Sequence, residues 1–293
     1  MFHTKKTSKL PYFLVAPVMI LLLLFSYLPF PYTLYLSVNE TKPITGELQF
    51  VGIKNFKRLF RNKDFWESLG NTGYYVIVTT ILVIVLGVIV ALILNSKIKG
   101  TSVYMSILFV PWIVSDVVAG FCWKWLLNPD FGLLNALFEP FGIRASNLLM
   151  KPQYAMLSLI MVTVWKQLAY STILLLAGLQ NVSNDLIEAS KLDGCNGWQS
   201  FWRITFPIFS PILLVTVLLD MINFISQSGL ALVLTGGGPL RSTTTLALYL
   251  YDEAFDNFKL TNASTISMMM ALLNIVVVCL YFYTNKKSRE KVD

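Results

Sequence analysis

The chain has 293 residues, of which 55% are hydrophobic and only 13% are charged. A soluble domain carries roughly 25% charged residues, and disorder requires low hydrophobicity with high charge, so the composition excludes both classes. The net charge of +7 comes without a basic run interleaved with base-stacking aromatics. It therefore indicates contact with a membrane surface rather than with nucleic acid.

Catalytic signatures are missing from the sequence. Three cysteines and one histidine are too few and too scattered for a metal site, a disulfide framework or a histidine-dependent triad. The glycine-lysine phosphate loop of ATP-hydrolysing proteins does not occur either. We therefore expect no enzymatic activity, no metal and no cofactor.

Six stretches are long and apolar enough to cross a membrane, which takes about 20 residues. In chain order they are 10–31, 72–94, 103–127, 154–179, 207–227 and 264–283. Lysines precede the first stretch, as in a secretory signal peptide. It is long, however, and lacks a small-x-small cleavage site, so we interpret it as an uncleaved helix. The predicted fold class is an all-α membrane protein with six transmembrane helices.

Basic residues near the termini predict the orientation. Lys9 abuts the first span, and Lys286, Lys287 and Arg289 directly follow the last one. The positive-inside rule places both termini in the cytoplasm. The segment 32–71 then lies outside, and its alternating cations and aromatics predict an amphipathic helix on the outer membrane surface. A solvated charged loop is the alternative for this segment.

The loop 181–207 has the signals of two short helices joined by a sharp turn. Ser183 or Asn184 can cap the first helix, and Gly194 can adopt the left-handed conformation that ends it. Pro207 fits a restart into the fifth span. The second short helix is aromatic, with Trp198, Phe201 and Trp202. This shape suits a groove on a partner, although an ordinary interfacial loop remains possible.

Motifs in this loop resemble a known family. Glu188-Ala189, then Asp193-Gly194 and a run from Phe201 to Pro207, resembles the EAA loop of binding-protein-dependent ABC importer permeases. The run Leu234-Thr235-Gly236-Gly237-Gly238-Pro239 resembles a loop of the first permease subunit in the sugar-type branch. Three positions depart from the pattern: Ser190 and Cys195 replace usual alanines, and Asp116 replaces a usually uncharged residue.

The resemblance implies a type I ABC importer permease bundle, multi-pass in the bacterial inner (cell) membrane. Its partners would be a second homologous permease, two ATP-binding subunits and an external solute-binding protein. The division would be 1–70 for the tail, first span and outer segment, 71–283 for the transmembrane core, and 284–293 for a basic cytoplasmic tail. The residues coupling to the ATPase would be Glu188, Ala189, Asp193, Gly194, Phe201 and Pro207.

Polar side chains inside the spans are candidates for a solute pathway, since such residues usually face the bundle interior. The candidates are Asp220, Asn223 and Gln227 on the fifth span, Lys166 and Tyr170 on the fourth, and Asn274 on the sixth. The alternative is that they hold helices together without touching solute. Lys166 has two possible ionic partners, namely Asp220 and Asp116.

The predicted cargo is a sugar or oligosaccharide, because these polar groups with nearby Trp165 supply donors, acceptors and an aromatic face. A glycerol-3-phosphate-type substrate is an alternative, but this anion would favour arginines, which the predicted spans lack. An ion-coupled secondary carrier, with Asp116, Asp220 and Lys166 as relay, is another. A carrier of that kind has no use for an ATPase-docking loop.

Overall fold

The computed structural model describes residues 10–42, 45–96, 100–128, 130–138 and 147–289. The predicted amino-terminal tail with Lys9 lies outside these residues, as do the last four residues of the predicted basic tail. Within them, five helices are long and apolar enough to span a membrane, and a sixth candidate is a pair of helices that meets the same criteria together but is sharply bent between its two halves. The prediction of an all-α bundle is confirmed at this level.

The first span extends away from the rest of the chain. It consists of α1 (Leu10–Leu22), a π-helical turn (Leu23–Tyr27) and α2 (Pro29–Ser37). None of its most apolar stretch is buried within the chain. Only its end makes extensive contact, where α2 packs against the last helix, α15 (Leu260–Arg289).

A small hairpin and a short helix follow the first span. Strand β1 (Asn39–Thr41) pairs antiparallel with β2 (Leu48–Phe50), with Glu40 opposite Gln49. The helix predicted in 32–71 is present as α3 (Lys54–Arg61). Its buried face packs on the protein through Asn55 and Leu59.

An ion-pair cluster fastens α3 to the hairpin. Glu40 accepts hydrogen bonds from Lys54 at 3.0 Å and from Arg58 at 2.8 Å. These two cations lower the pKa of the Glu40 carboxyl below its ordinary value. On the buried side, the Asn55 amide donates to the carbonyls of Ser37 and Asn39. Helix α3 is therefore fixed to the hairpin by ion pairs on its exposed side and by hydrogen bonds on its buried side.

Two long helices form the centre of the bundle. Helices α4 (Lys63–Asn95) and α9 (Pro152–Gln180) pack along their length, and α12 (Phe206–Ser226) packs against both. Small residues permit close approach: a side chain at Gly178 would collide with Ile212 of α12. The main core joins all three helices to α15 and includes the buried residues Phe65, Leu159, Phe224, Leu246 and Ile266.

The predicted third span is not one straight helix. It divides into α5 (Thr101–Ile113) and α6 (Asp116–Leu126), which meet at an angle of 94°. The helix runs through Pro111 and ends at Ile113, because Val114 and Ser115 take extended backbone angles. The sequence predicted a span over 103–127 without this break. An average of hydropathy over about 20 residues does not register the break, because Ser115 and Asp116 are only two polar residues between apolar stretches.

The shorter helices connect these elements. They are α7 (Leu133–Phe138), α8 (Asn147–Met150), α10 (Asn184–Leu192), α11 (Gly197–Ser200), α13 (Gly229–Leu234) and α14 (Leu246–Tyr251). The predicted restart at Pro207 does not occur. One helical run extends from Gly197 to Ser226 through a π turn at Phe201–Thr205. In a π turn, each backbone amide bonds to the carbonyl five residues earlier. This change of hydrogen-bond pattern lets the helix continue through Pro207, which has no backbone N–H to donate.

The glycine-rich motif forms a tightly bonded loop before α14. Gly236 and Gly237 have positive φ angles of 58° and 82°. A side chain on Gly237 would lie 2.6 Å from the hydroxyl of Thr244, so only glycine fits there. Asn71 of α4 donates to the carbonyls of Arg241 and Thr244 and ties the loop to the bundle.

Candidate functional site

The bend between α5 and α6 places a carboxylate inside the bundle. The Ser115 hydroxyl accepts from the Val118 amide and caps α6, and Asp116 lies in its first turn, where the helix dipole favours an anion. Gly229 at the start of α13 lies against Asp116, because a β-carbon there would stand 3.2 Å from the Asp116 side chain.

Asp116 joins three elements through its two oxygens. Its Oδ1 lies 2.7 Å from the Lys166 ammonium of α9, and its Oδ2 accepts from the Gln227 amide at 2.8 Å, just after α12. The side chains of Lys166 and Asp116 are 14% and 26% exposed. Pairing neutralises two charges whose separate insertion in a membrane is costly. Of the two partners considered for Lys166, the structure places Asp116 beside it.

Aromatic rings flank this cluster. Tyr170, one turn after Lys166, stacks on Trp112 of α5 with ring centroids 5.8 Å apart and an interplanar angle of 15°. Trp165 meets Trp123 of α6 edge-on at 5.5 Å. Trp112 and Trp165 each remain more than a third exposed. The bend thus collects aromatic faces, an ammonium, a carboxylate and an amide on one partly open surface.

Other predicted pathway residues lie elsewhere. Asp220 is fully buried between α12 and α9, where it accepts from the Ser171 hydroxyl at 2.8 and 3.0 Å and from the Gln167 amide at 3.2 Å. Asn223 is exposed on α12, and Asn274 is half-buried on α15. The structure therefore gathers Lys166, Tyr170 and Gln227, but not these three.

The predicted turn in the loop 181–207 is present at the end of the bundle reached by α9 and α12. Ser183 caps α10, and Gly194 has a positive φ of 83°, so the predicted cap and left-handed turn are confirmed. Asn196 and Gln199 form a capping box that starts α11. The exposed residues of the turn include Glu188, Ala189, Asp193, Gly194 and Pro207. We call the segment Asn184–Thr205 the elbow.

A buried serine pair joins the two arms of the elbow. The hydroxyls of Ser190 and Ser200 are 2.8 Å apart, and Ser190 also donates to the Ile187 carbonyl. A hydroxyl has one proton, so Ser200 donates to Ser190. Phe201, on the second arm, packs in half-buried contact with Trp202 and Phe206. Sequence reasoning missed the serine bond, for which the only signal was Ser190 at a usual alanine position.

Comparison with known proteins identifies the family of the chain. A family model described as "Binding-protein-dependent transport system inner membrane component" matches residues 83–290. The chain belongs to this family. The permease is 32% identical over 288 residues to the trehalose/maltose transport system permease protein MalF of Thermococcus litoralis, covering 97% of the permease and 96% of the relative.

Further relatives agree. The permease is 30% identical over 274 residues to the sn-glycerol-3-phosphate transport system permease protein UgpA of Agrobacterium fabrum, with 93% of each chain covered. Among solved structures, a chain of a bacterial alginate ABC transporter, in complex with an alginate pentasaccharide-bound periplasmic protein, matches with a TM-score of 0.82 at 20% identity, covering 95% and 94% of the two chains. That match supports the fold.

The family establishes the class of protein. It is a multi-pass inner-membrane component of an ABC importer, and members of this family are transport components rather than enzymes. The expectations of the family, the membrane location and the importer role are confirmed. The coupling and pathway residues remain predictions that the geometry above refines.

The buried position of Asp220 gives a testable prediction for the permease. Asp220→Ala leaves Ser171 and Gln167 without their acceptor, at a cost of about 1–2 kcal/mol. We expect the thermal midpoint of the purified permease to fall by about 2–6 °C. Asp220→Asn, which keeps one acceptor oxygen, should lose less than half as much. Asn223→Ala is the matched control on an exposed position of the same helix. An equal loss in all three variants would show that the hydrogen bonds from Ser171 and Gln167 to Asp220 do not stabilise the permease.

Proposed function

We propose that the permease conducts a sugar or oligosaccharide. The observation that carries this proposal is the open Trp112–Tyr170 stack beside the paired Asp116 and Lys166. Sugars have hydroxyl groups that bond to amides and carboxylates, and apolar ring faces that pack on aromatic rings. Among the relatives, MalF is named for trehalose and maltose, and the structural neighbour is an alginate ABC transporter, whereas UgpA is named for the alternative solute, sn-glycerol 3-phosphate.

The geometry disfavours the alternatives. A glycerol-3-phosphate-type solute needs an available cation, whereas Lys166, the cation of this surface in the described chain, is already paired at 2.7 Å. A proton or sodium relay needs Asp116, Asp220 and Lys166 in one network. Asp220 instead bonds to Ser171 and Gln167, apart from the other two.

The proposed assembly contains a second homologous permease, two ATP-binding subunits on the elbow and an external solute-binding protein. In it, both termini and the basic tail 284–293 are cytoplasmic, and 71–283 forms the core. Half of the solute path would belong to the second permease, which is consistent with the exposure of Trp112 and Trp165. Glu188, Ala189, Asp193 and Gly194 would meet the ATPase groove.

A single helical run supplies the mechanical link. Residues Gly197–Ser226 form one continuous helical segment, and Gln227, directly after it, donates to Asp116. ATP-driven closure of the ATPase pair displaces the elbow, and the helix transmits this displacement to the Gln227–Asp116 contact. Separation of Gln227 from Asp116 would open the cluster on one side of the membrane, as alternating access requires.

Uptake measurements test the proposal. Cells lacking the chain should lose uptake of a labelled sugar from a panel that includes maltose and trehalose, and wild-type permease should restore it. Labelled sn-glycerol 3-phosphate serves as the competing substrate. Uptake loss confined to the phosphate ester would overturn the sugar assignment.

The chain purified alone should hydrolyse no ATP, and robust turnover would overturn the subunit role.

A further inference from the structure

The two arms of the elbow differ in surface chemistry. The first arm and its turn have four charges, on Asp185, Glu188, Lys191 and Asp193. The second arm, 197–205, has Arg203 as its one charge. It also has two large exposed indoles, since Trp198 is 71% and Trp202 46% exposed. A charged arm suits an aqueous protein partner, whereas an aromatic arm with one cation has the composition of the membrane interface.

The two exposed indoles and the half-buried ring of Phe206 form a continuous stripe that leads to the spanning helix α12. Trp198 packs on Trp202 at 5.6 Å, and Trp202 packs on Phe206 at 4.8 Å. We call these three residues the aromatic stripe. Phe206 is the first residue of α12, so the stripe continues the spanning helix without a break. On the opposite side of this arm, buried Ser200 faces Ser190 of the first arm.

The length of the helical run locates the stripe relative to the bilayer. Thirty residues from Gly197 to Ser226 extend about 45 Å. The hydrocarbon core is about 30 Å thick, and even a steep tilt of about 40° leaves ~34 Å along the normal. The far end is fixed inside the bundle, where Phe224 and Ile225 are buried. The excess length therefore falls at the elbow end, which extends beyond the hydrocarbon core.

We propose that the aromatic stripe anchors the second arm of the elbow in the interfacial layer of the lipid bilayer. Indoles prefer this layer, and Arg203, the residue after Trp202, can extend to lipid phosphates. The anchor leaves the charged first arm to face water and its protein partner. With the second arm held at the membrane surface, any movement of the elbow is a rotation about that arm. Naming this leaflet the inner one rests on the proposed function, but the anchoring itself does not.

Spin labels test the anchor on the full chain, without ATP, solute or partners. The background variant has Cys122, Cys195 and Cys279 changed to serine. In this background, the single variants Trp198→Cys and Trp202→Cys are spin-labelled and reconstituted in phosphatidylcholine–phosphatidylglycerol vesicles. Leu192→Cys is the matched control, because Leu192 is 90% exposed on the first arm. We expect the ratio of oxygen to nickel-chelate accessibility to be several-fold higher at 198 and 202 than at 192.

Equal nickel-chelate access at all three positions would overturn the anchor, and so would protection that develops only after the ATP-binding subunits are added.

A second measurement needs no cysteine variant. Lipids brominated near the carbonyl should quench tryptophan fluorescence more strongly in the wild type than in Trp198→Phe/Trp202→Phe. Unchanged quenching would also refute the proposal. Loss of sugar uptake, by contrast, bears on the proposed function alone.

Discussion

Lys166→Met is expected to reduce solute uptake at least tenfold in cells with equal amounts of permease. The change leaves the partly buried Asp116 carboxylate with Gln227 as its described partner, and loss of one member of a buried pair costs about 3–5 kcal/mol. Since Asp116 is 26% exposed, we expect roughly 1–3 kcal/mol here, discounted for solvent screening. The measurements are the uptake rate and the thermal midpoint of the purified permease.

The double variant Asp116→Asn/Lys166→Met separates pairing from solute contact. An asparagine keeps an acceptor for Gln227 and removes the uncompensated charge, so the thermal midpoint should recover toward the wild type. The KM for the sugar should be raised in both variants, because each lacks the ammonium on the aromatic surface and the double variant also lacks the carboxylate. A double variant as unstable as Lys166→Met alone would show that the two charges do not act as a pair.

Gly194→Val should uncouple transport from ATP hydrolysis. A β-carbon at Gly194 meets no atom within 4 Å, so the effect comes from the backbone alone. A β-branched residue at a φ of 83° is destabilised by about 1–3 kcal/mol. The backbone of the turn relaxes to avoid this strain, and the relaxation changes the angle at which α10 meets its partner. We expect normal membrane abundance, reduced co-purification of the ATP-binding subunits, and hydrolysis that the solute-binding protein no longer stimulates.

The chain offers a matched control for this change. Gly197 is three residues further on and also has open space around a β-carbon, but it lacks a positive φ. Gly197→Val should therefore leave coupling nearly intact. Gly194→Asn should retain most of it, since asparagine tolerates the left-handed region better than other residues. Normal solute-stimulated hydrolysis in Gly194→Val would show that the elbow is not the coupling element.

The sequence predicted the elements whose signals are local. Length and apolarity identified the spans that became α4, α9, α12 and α15, because insertion depends on the total hydrophobicity of about 20 residues. The cap at Ser183 and the turn at Gly194 were predicted from single residue types, since each satisfies a need of the neighbouring backbone. The family motif in the elbow could be identified for the same reason, because its residues are close together in the sequence.

Features that depend on how the helices meet could not be read from the sequence. Hydropathy did not show the 94° bend before Asp116, because an average over about 20 residues hides two polar residues, Ser115 and Asp116, between apolar stretches. The choice of Asp116 rather than Asp220 as the partner of Lys166 depends on the rotation of α9 about its axis. A rotation of one residue, about 100°, would change which carboxylate it faces.

Apolarity, helix caps and the elbow turn are thus determined by the sequence itself, because each arises from residues within a few positions of one another. The tertiary structure alone decided which polar side chains meet. Lys166 and Asp116 are 50 residues apart, and Trp112 and Tyr170 are 58 apart. Contact between them requires the packed arrangement of α5, α6 and α9. The rows of polar residues gave each helix a polar face, and packing determined which of those faces met the other helices.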